Sequence, residues 1–547
     1  MSITKIGRDW RARALAGLAV VSLIVGCSTG GSGSEEPTAE APDVSTVTVA
    51  MTASSEPDTG FDPVYGWGSA SHVHEPLVQS TLIKTDVDLG FENDLATDYS
   101  VSDDGMTWKF TIRDDAKFTN GNTVTAKDVA FTINEVVTNT GAVADLNKVK
   151  EATATSDTEV EIAMKQPDNT LLYTLAVLGI VPADEYGDNY GKNPIGSGRY
   201  KLESWEQGKQ AIFVANPDYY GEAPKMERLV VVFMDEDAGI AAVKAGQVDV
   251  AYVSATHADQ HMDGYELFSA KTVDSRGISF PVVPEGSPKR EGMDGAEHEV
   301  GNNVTSDRAL RQAMNYAVDR DVLADHVLNG HGTPAYSVAD GMPWASDAMK
   351  VETDVDKAKT ILEDAGWAEG DDGVRVKHDG TRAEFTLVYP ATDPVRQALA
   401  AEFANQMKEI GINITIEGKS WDDIYLIQTT EPVVWGWGSN SPNELYSLYH
   451  SQSTSNTAAY ESDTIDEYLD KALAATDIDE SNEYWQKAQW DGTTGVTPEG
   501  EATWVWLTNI DHLYFVRDNL NIGEQKPHPH GHGWSVVNNV DQWTWES

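Results

Sequence analysis

The stretch from Ser102 to Val136, SDDGMTWKFTIRDDAKFTNGNTVTAKDVAFTINEV, constrains the fold more than any other part of the chain. Alternation across Thr107-Trp108-Lys109-Phe110-Thr111-Ile112-Arg113 predicts a half-buried strand. Asn120-Gly121 predicts a turn, and Thr125 predicts a helix N-cap with Asp128 in the first turn. A strand followed by a capped amphipathic helix requires layered α/β packing. A chain of 547 residues exceeds what one core can serve, so two large lobes or three domains are expected.

Charge and cysteine usage narrow the function classes. Asp and Glu total 88 against 39 Lys and Arg, a formal net charge of -49 dispersed along the chain, which excludes a nucleic-acid partner. Lys5, Arg8, Arg11 and Arg13 precede an apolar run from Ala14 to Val25 that is too short to span a bilayer as a mature helix, so residues 1–27 read as a signal peptide. Ile24-Val25-Gly26-Cys27 resembles a bacterial lipobox, which makes Cys27 the expected lipidation site and the lipid the only membrane contact. With no other cysteine in the sequence, internal disulfides and thiolate metal sites are excluded from the mature chain. Residues 28–44, rich in Gly, Ser, Pro and Glu, read as a flexible tether to an extracytoplasmic body.

Ordered motifs run along that body. The acidic turn, the Thr107-Trp108-Lys109-Phe110 strand, Arg113-Asp114, Lys117-Phe118, Asn120-Gly121 and Thr125-Ala126-Lys127-Asp128-Val129 resemble the signature of family 5 extracellular solute-binding proteins, the peptide, nickel and opine receptors of ABC importers. Gly196-Ser197-Gly198-Arg199-Tyr200, Asn216-Pro217-Asp218-Tyr219-Tyr220-Gly221, the Gly246 to Val250 corner and the helices Asp307–Arg320 and Asp356–Gly366 match the family in order. Leu310, Met314 and Ala317 share the apolar face of the first of these helices. The resemblance implies an α/β fold of two lobes, the type II periplasmic-binding arrangement with an extra subdomain in the first lobe. The expected divisions are 45–272 for the first lobe, 273–506 for the second and 507–547 for the return segment. It also implies a monomer that closes on its ligand about crossover strands near Ser275 and Leu507, hands the ligand to an ABC permease and needs no cofactor. No G-x-S-x-G or H-E-x-x-H motif points to an enzyme.

Ligand candidates follow from the same resemblance. Tyr65 and Trp67, between Gly66 and Gly68, lie in a loop that borders the family's cleft, and Arg276 and Trp506 lie on the crossovers. His72 and His74 follow that loop and are expected at the surface. Peptide receptors of the family carry an acid in a Trp-x-x-Asp stretch. Here Gly438 stands at that position, Ser441 replaces the Asp before Pro442, and no acid lies between Glu431 and Glu444. Trp435, Trp437, Ser439 and Asn440 remain, a set suited to a metal chelate, a small zwitterion or an uncharged organic solute. His528, His530 and His532 recur at spacing two after His512, which places imidazoles on one side of an extended segment as a metal site requires. The expectation is therefore a nickel or other transition-metal chelate as transported ligand ahead of an oligopeptide, with these four histidines as candidate metal ligands.

Overall fold

The computed structural model describes residues 45–66, 74–531 and 533–546. The expectations for Cys27, the tether, Trp67, His72 and His532 lie outside these residues.

The Ser102–Val136 unit forms as its sequence implies. Thr107–Ile112 is a strand whose inward residues Trp108, Phe110 and Ile112 are buried while Lys109 and Thr111 are exposed. Helix Ala126–Thr138 starts in a capping box between Thr125 and Asp128, and Val129, Ile133 and Val136 bury one face against Phe110 and Val160. Reciprocal capping of this kind satisfies backbone donors that the helix itself cannot. The strand belongs to a four-stranded antiparallel sheet in the order Ala96–Val101, Thr107–Ile112, Glu159–Met164, Val149–Ala154.

Two larger sheets carry the rest. In the seven-stranded one, Thr46–Met51 lies in the interior between the parallel strands Arg228–Phe233 and Val250–Val253. His512–Arg517 enters the same sheet from the far end of the chain, antiparallel to Val250–Val253 and Tyr265–Ala270. The six-stranded sheet runs Gly332–Pro334, Trp504–Ile510, Ser275–Ser279, Val433–Trp437, Glu384–Pro390, Asn413–Lys419. Both of its faces are covered: Val434, Val505 and Leu507 pack into one apolar core, Trp435, Trp504 and Trp506 into another. This is why Val433–Trp437 and the first four residues of Trp504–Ile510 read as nearly continuous apolar runs.

The chain passes between the two larger sheets at two places, from Ala270 to Ser275 and from Ile510 to His512. The return strand stays paired with Ser275–Ser279 as far as Asn509, so the second passage falls at Asp511, a few residues beyond the boundary set from sequence. A second difference concerns the helix read through Asp307–Arg320. It stops at Ala317, and Asp319 caps a new helix, Arg320–Val327, by accepting from Val322 N at 3.0 Å. Leu310, Met314 and Ala317 are buried as the periodicity requires.

Candidate functional site

Three parallel strands organise the site. Glu384–Pro390 pairs in parallel with Asn413–Lys419 on one side and Val433–Trp437 on the other. Each runs from its carboxyl end into a helix: Pro394–Met407, Trp421–Ile427 and Asn443–Tyr449. The carboxyl ends of parallel strands are where α/β sheets form ligand crevices. Arg396, Trp421 and Glu444 occupy the first turns of the three helices, so side chains far apart in sequence stand on neighbouring corners.

Asp393 caps the first helix, accepting from Arg396 N at 2.9 Å, and its other carboxylate oxygen accepts from Arg396 Nη1 at 3.0 Å. The Arg396 guanidinium lies 5.4 Å from the Trp421 ring centre. Trp421 stacks on Trp435 at 5.7 Å, and Trp435 stands 6.3 Å from Trp437. On the opposite face of that strand, Gly436 pairs with Arg276. A Cβ at Gly436 would lie 2.3 Å from Arg396 Nη2 and 2.7 Å from Arg276 Nη1, so two guanidinium groups pack over one glycine. Burial, reinforced by the neighbouring Arg276 charge, brings Arg396 down to about 10. Nε of each arginine is buried without a hydrogen-bond partner.

Arg276 is neutralised from its own strand entry by Asp274, whose Oδ2 accepts from Arg276 Nη2 at 3.3 Å. Burial acts to raise Asp274, but Arg276 and the imidazoles of His530 and His512 outweigh it and hold the carboxyl well below its usual range. His512 Nε2 stands 3.2 Å from Asp274 Oδ2, and His530 Nδ1 stands 2.5 Å from Asp274 Oδ1. His528 faces His512 at 3.3 Å between their Nδ1 atoms, and burial followed by His512 pushes it well below the ordinary imidazole value. The segment bearing these residues runs beside the first passage: His528 N donates to Lys271 O and Val273 N donates to His528 O, each at 2.9 Å. His530 N then donates to Gly438 O at 2.8 Å, and Asn440 Nδ2 to Pro527 O at 3.0 Å. The C-terminal segment thus ties the loop after Trp437 to the passages between the sheets.

The candidates named from sequence separate into groups. Arg276, Trp435 and Trp437 converge with Arg396 and Trp421, with Ser439 and Asn440 on the adjoining loop. Trp435 Nε1 donates to Ser279 Oγ at 3.0 Å. Trp506 lies inside the second core, stacked on Trp504 at 4.7 Å and packed over Gly277, rather than at the crevice. Tyr65 joins the core of the four-stranded sheet, where its hydroxyl accepts from Asn139 Nδ2 at 2.7 Å. His74 is buried, not at the surface as expected. The imidazoles of His512, His528 and His530 do share one region, but they serve Asp274 and one another. Among the described residues no group of three or more His, Cys, Asp or Glu side chains is arranged to hold a metal ion.

Gly438 is required by contact: with φ at +153°, a Cβ there would lie 1.8 Å from Val273 O, so an acidic side chain does not fit at this position. An acid instead approaches from the next helix. Glu444 has one carboxylate oxygen buried without a partner; burial raises the group to about 7, opposed by the Ser439 hydroxyl. Arg396, Trp421 and Glu444 escaped the sequence reading because each sits at a helix start, and only the parallel sheet brings the three corners together.

The two halves touch around this region. Asn443 Nδ2 donates to Asp145 Oδ2 at 3.2 Å, the Lys148 ammonium lies 4.9 Å from the Tyr446 ring centre, and Asn169 Nδ2 donates to Ser481 Oγ at 2.6 Å. A separate cleft of about 530 Å³ is lined by Glu75, Arg113, Arg199, Tyr220 and Lys526, away from the parallel strands. Its cations are paired, Arg113 with Asp115, Arg199 with Asp541 and Lys526 with Glu75, as Arg276 is with Asp274 and Arg396 with Asp393 at the parallel strands.

Comparison with known proteins agrees with this architecture. The chain is 31% identical over 491 residues to protein XP55 of Streptomyces lividans, covering 86% of this chain and 85% of that protein. It is 28% identical over 422 residues to the oligopeptide-binding protein AppA of Bacillus subtilis, covering 72% and 74%. The fold matches the crystal structure of NikZ from Campylobacter jejuni in complex with Ni(L-His), with a TM-score of 0.73 at 23% identity over 91% of this chain and 99% of that one. It is therefore the two-lobed fold of periplasmic binding proteins. Residues 90–459 match the family model for bacterial extracellular solute-binding proteins, family 5, and the chain belongs to that family.

Proposed function

We propose that this chain is a lipid-anchored extracytoplasmic receptor that binds a small organic solute between its lobes and presents it to an ABC importer. The observation that carries the reading is the convergence of Arg276, Arg396, Trp421 and Trp435 at the carboxyl ends of three parallel strands. Buried guanidinium nitrogens without partners beside stacked indoles suit a solute with an anionic group and an apolar or planar body. The passages at Lys271–Asp274 and Asp511 are where lobes joined in this way pivot, and closure over the solute needs no catalysis. Among the described residues no helix is long and apolar enough to cross a membrane. Cys27 supplies the anchor, and residues 28–44 the tether. Native mass spectrometry of the purified protein tests the reading: a retained small solute, lost in Arg396→Ala, supports it, and an empty protein that captures nothing from cell extract refutes it.

A second reading, a nickel or other metal chelate, is favoured by the imidazoles at His512, His528 and His530. In that reading His530, on the segment bound to Gly438, donates to the metal. Calorimetric titration with nickel, alone and with free histidine, separates the two: binding that disappears in His530→Ala supports the chelate.

A further inference from the structure

One helix end in the second lobe is completed by a residue of the first. The helix Asp463–Ala474 stops without a glycine: its C-cap, Ala475, is extended (φ -66°, ψ 133°) and returns a single bond, from Ala475 N to Lys471 O at 3.0 Å. The last four carbonyls of a helix have no partner inside it. Three of those four are met here from across the lobes. Asn169 N donates to Leu473 O at 3.0 Å, and Asn169 Nδ2 donates to Ala472 O at 2.9 Å and Ala475 O at 3.2 Å. Asn169 is itself buried by the contact, at 7% exposure.

An asparagine amide has two N–H donors, and both are used. One goes to Ser481 Oγ at 2.6 Å on the next helix, Ile478–Gln489, and the other is shared between Ala472 O and Ala475 O. Carbonyls only accept, so the amide nitrogen rather than its oxygen must face them. The Asn169 backbone is braced from its own lobe. Asp168 Oδ1 accepts from Thr170 N at 2.9 Å and Thr170 Oγ1 at 2.6 Å, and the Lys148 ammonium lies 3.6 Å from Asp168 Oδ2. One turn on, Tyr173 stands edge-on to Trp344 of the second lobe at 5.8 Å. These residues lie off the strand ends and helix starts of the crevice. The chain links the two larger sheets only at 270–275 and 510–512, so rotation about those passages draws Asn169 away from the helix end.

We propose that Asn169 is an interlobe latch: by capping the helix Asp463–Ala474 from the opposite lobe, it populates the closed form through a contact that the solute does not supply. Opening gives Leu473 O and Ala475 O back to water, whereas Ala472 O keeps the Ser481 hydroxyl at 2.9 Å. Asn169 is thus a positioning residue that sets the balance between closed and open forms without touching solute. The inference goes beyond the receptor reading and holds for any class of solute.

The test measures the distance between lobes by double electron–electron resonance and needs no solute. Nitroxides are attached to the full chain carrying Cys27→Ala, Thr153→Cys on the inserted sheet and Glu483→Cys on the helix Ile478–Gln489, both exposed positions. The expected result is a population at the separation the structure gives. In Asn169→Ala the ratio of that population to longer distances should fall roughly tenfold, as the loss of the amide's two hydrogen bonds implies. Asn169→Asp keeps the shape but turns a carboxylate toward carbonyl oxygens at the negative end of a helix, so it should open the protein further than Asn169→Ala does. Melting curves confirm that both variants fold, and a loss of packing alone would not produce this order. Unchanged distances in both variants, a closed population in Asn169→Asp equal to that of the parent chain, or no closed population in the parent chain overturns the latch. Each of those outcomes leaves the receptor reading intact, because solute retention and its loss in Arg396→Ala are measured separately.

Discussion

Asp274 and His512 stand at the two separate passages of the chain between the sheets, and their side chains meet at 3.2 Å with both residues almost wholly buried. Two strands that could pivot independently are thus coupled by one carboxylate, which also neutralises Arg276 at the crevice. Asp274→Asn should therefore destabilise the protein by about 3–5 kcal/mol, because Arg276 remains buried without its counter-ion. The depressed carboxyl contributes stability at any pH above its unfolded value, and that contribution is lost as pH falls through the folded value. In urea unfolding the deficit of Asp274→Asn should persist from pH 5 to 8 and shrink below the ordinary carboxylate pKa of about 3.9. A deficit that stays constant into strong acid would remove Asp274 from this role.

Much of the fold was legible in the sequence, and particular residues show why. Thr125 and Asp128 form a capping box, and the inward residues of Thr107–Ile112 are buried, because both features depend on neighbours a few positions away. The spacing of His528 and His530 suggested imidazoles on one side of an extended segment as metal ligands, whereas His528 faces His512 and His530 meets Asp274. It did not reveal that the acceptor there is Asp274, more than 250 positions earlier in the chain. Arg396 and Glu444 illustrate the same limit. A charged residue in the first turn of a helix is ordinary by local pattern, and its meaning depends on which other corners the parallel sheet places beside it.

Glu444 allows a pH test that needs no solute. Its carboxyl is raised from 4.5 to about 7 by burial, so between these values the folded chain retains a proton that the unfolded chain has released. Stability must fall as pH rises through this window, by about 3 kcal/mol in full. Glu444→Gln lacks the titration, while nearby Asp145 and Lys148 are common to both proteins. Relative to wild type, the variant should gain stability between pH 5 and pH 8. A pH-independent difference in urea unfolding would contradict the raised carboxyl.

Trp435 and Trp437 should report solute binding. The chain has 16 tryptophans, so the measurement is differential. Closure over a solute changes the surroundings of indoles at the crevice. The fluorescence change on adding the solute released from purified protein should be much reduced in Trp437→Phe or Trp435→Phe. An unchanged response in both variants would place the solute elsewhere.

Cys27→Ala should abolish lipidation and shift the protein from the detergent phase to the aqueous phase on phase separation. Its melting temperature should equal that of the wild type, since the sheets that hold the body together are built from Thr46 onward. Unaltered partitioning would refute the anchor.

Gly438→Ala provides the most direct test of the crevice loop. The added Cβ would lie 1.8 Å from Val273 O and 3.2 Å from Asp274 N, both backbone atoms of the first passage, so a rotamer change cannot relieve the clash. Either the passage or the loop must move. Moving the loop strains the hydrogen bond from His530 N to Gly438 O and the bond from Asn440 to Pro527 O, which hold it to the C-terminal segment. The variant should lose roughly 2–4 kcal/mol of stability, the scale of a buried steric conflict with backbone strain, and lose solute binding. Substituting Gly436 offers a contrast. There the added Cβ meets guanidinium ends of Arg396 and Arg276, which can withdraw, so Gly436→Ala should weaken solute binding while costing less stability than Gly438→Ala. Paired urea unfolding and solute-capture measurements on the two variants check the contrast, and equal loss of stability in both would show that the loop is not held by Val273.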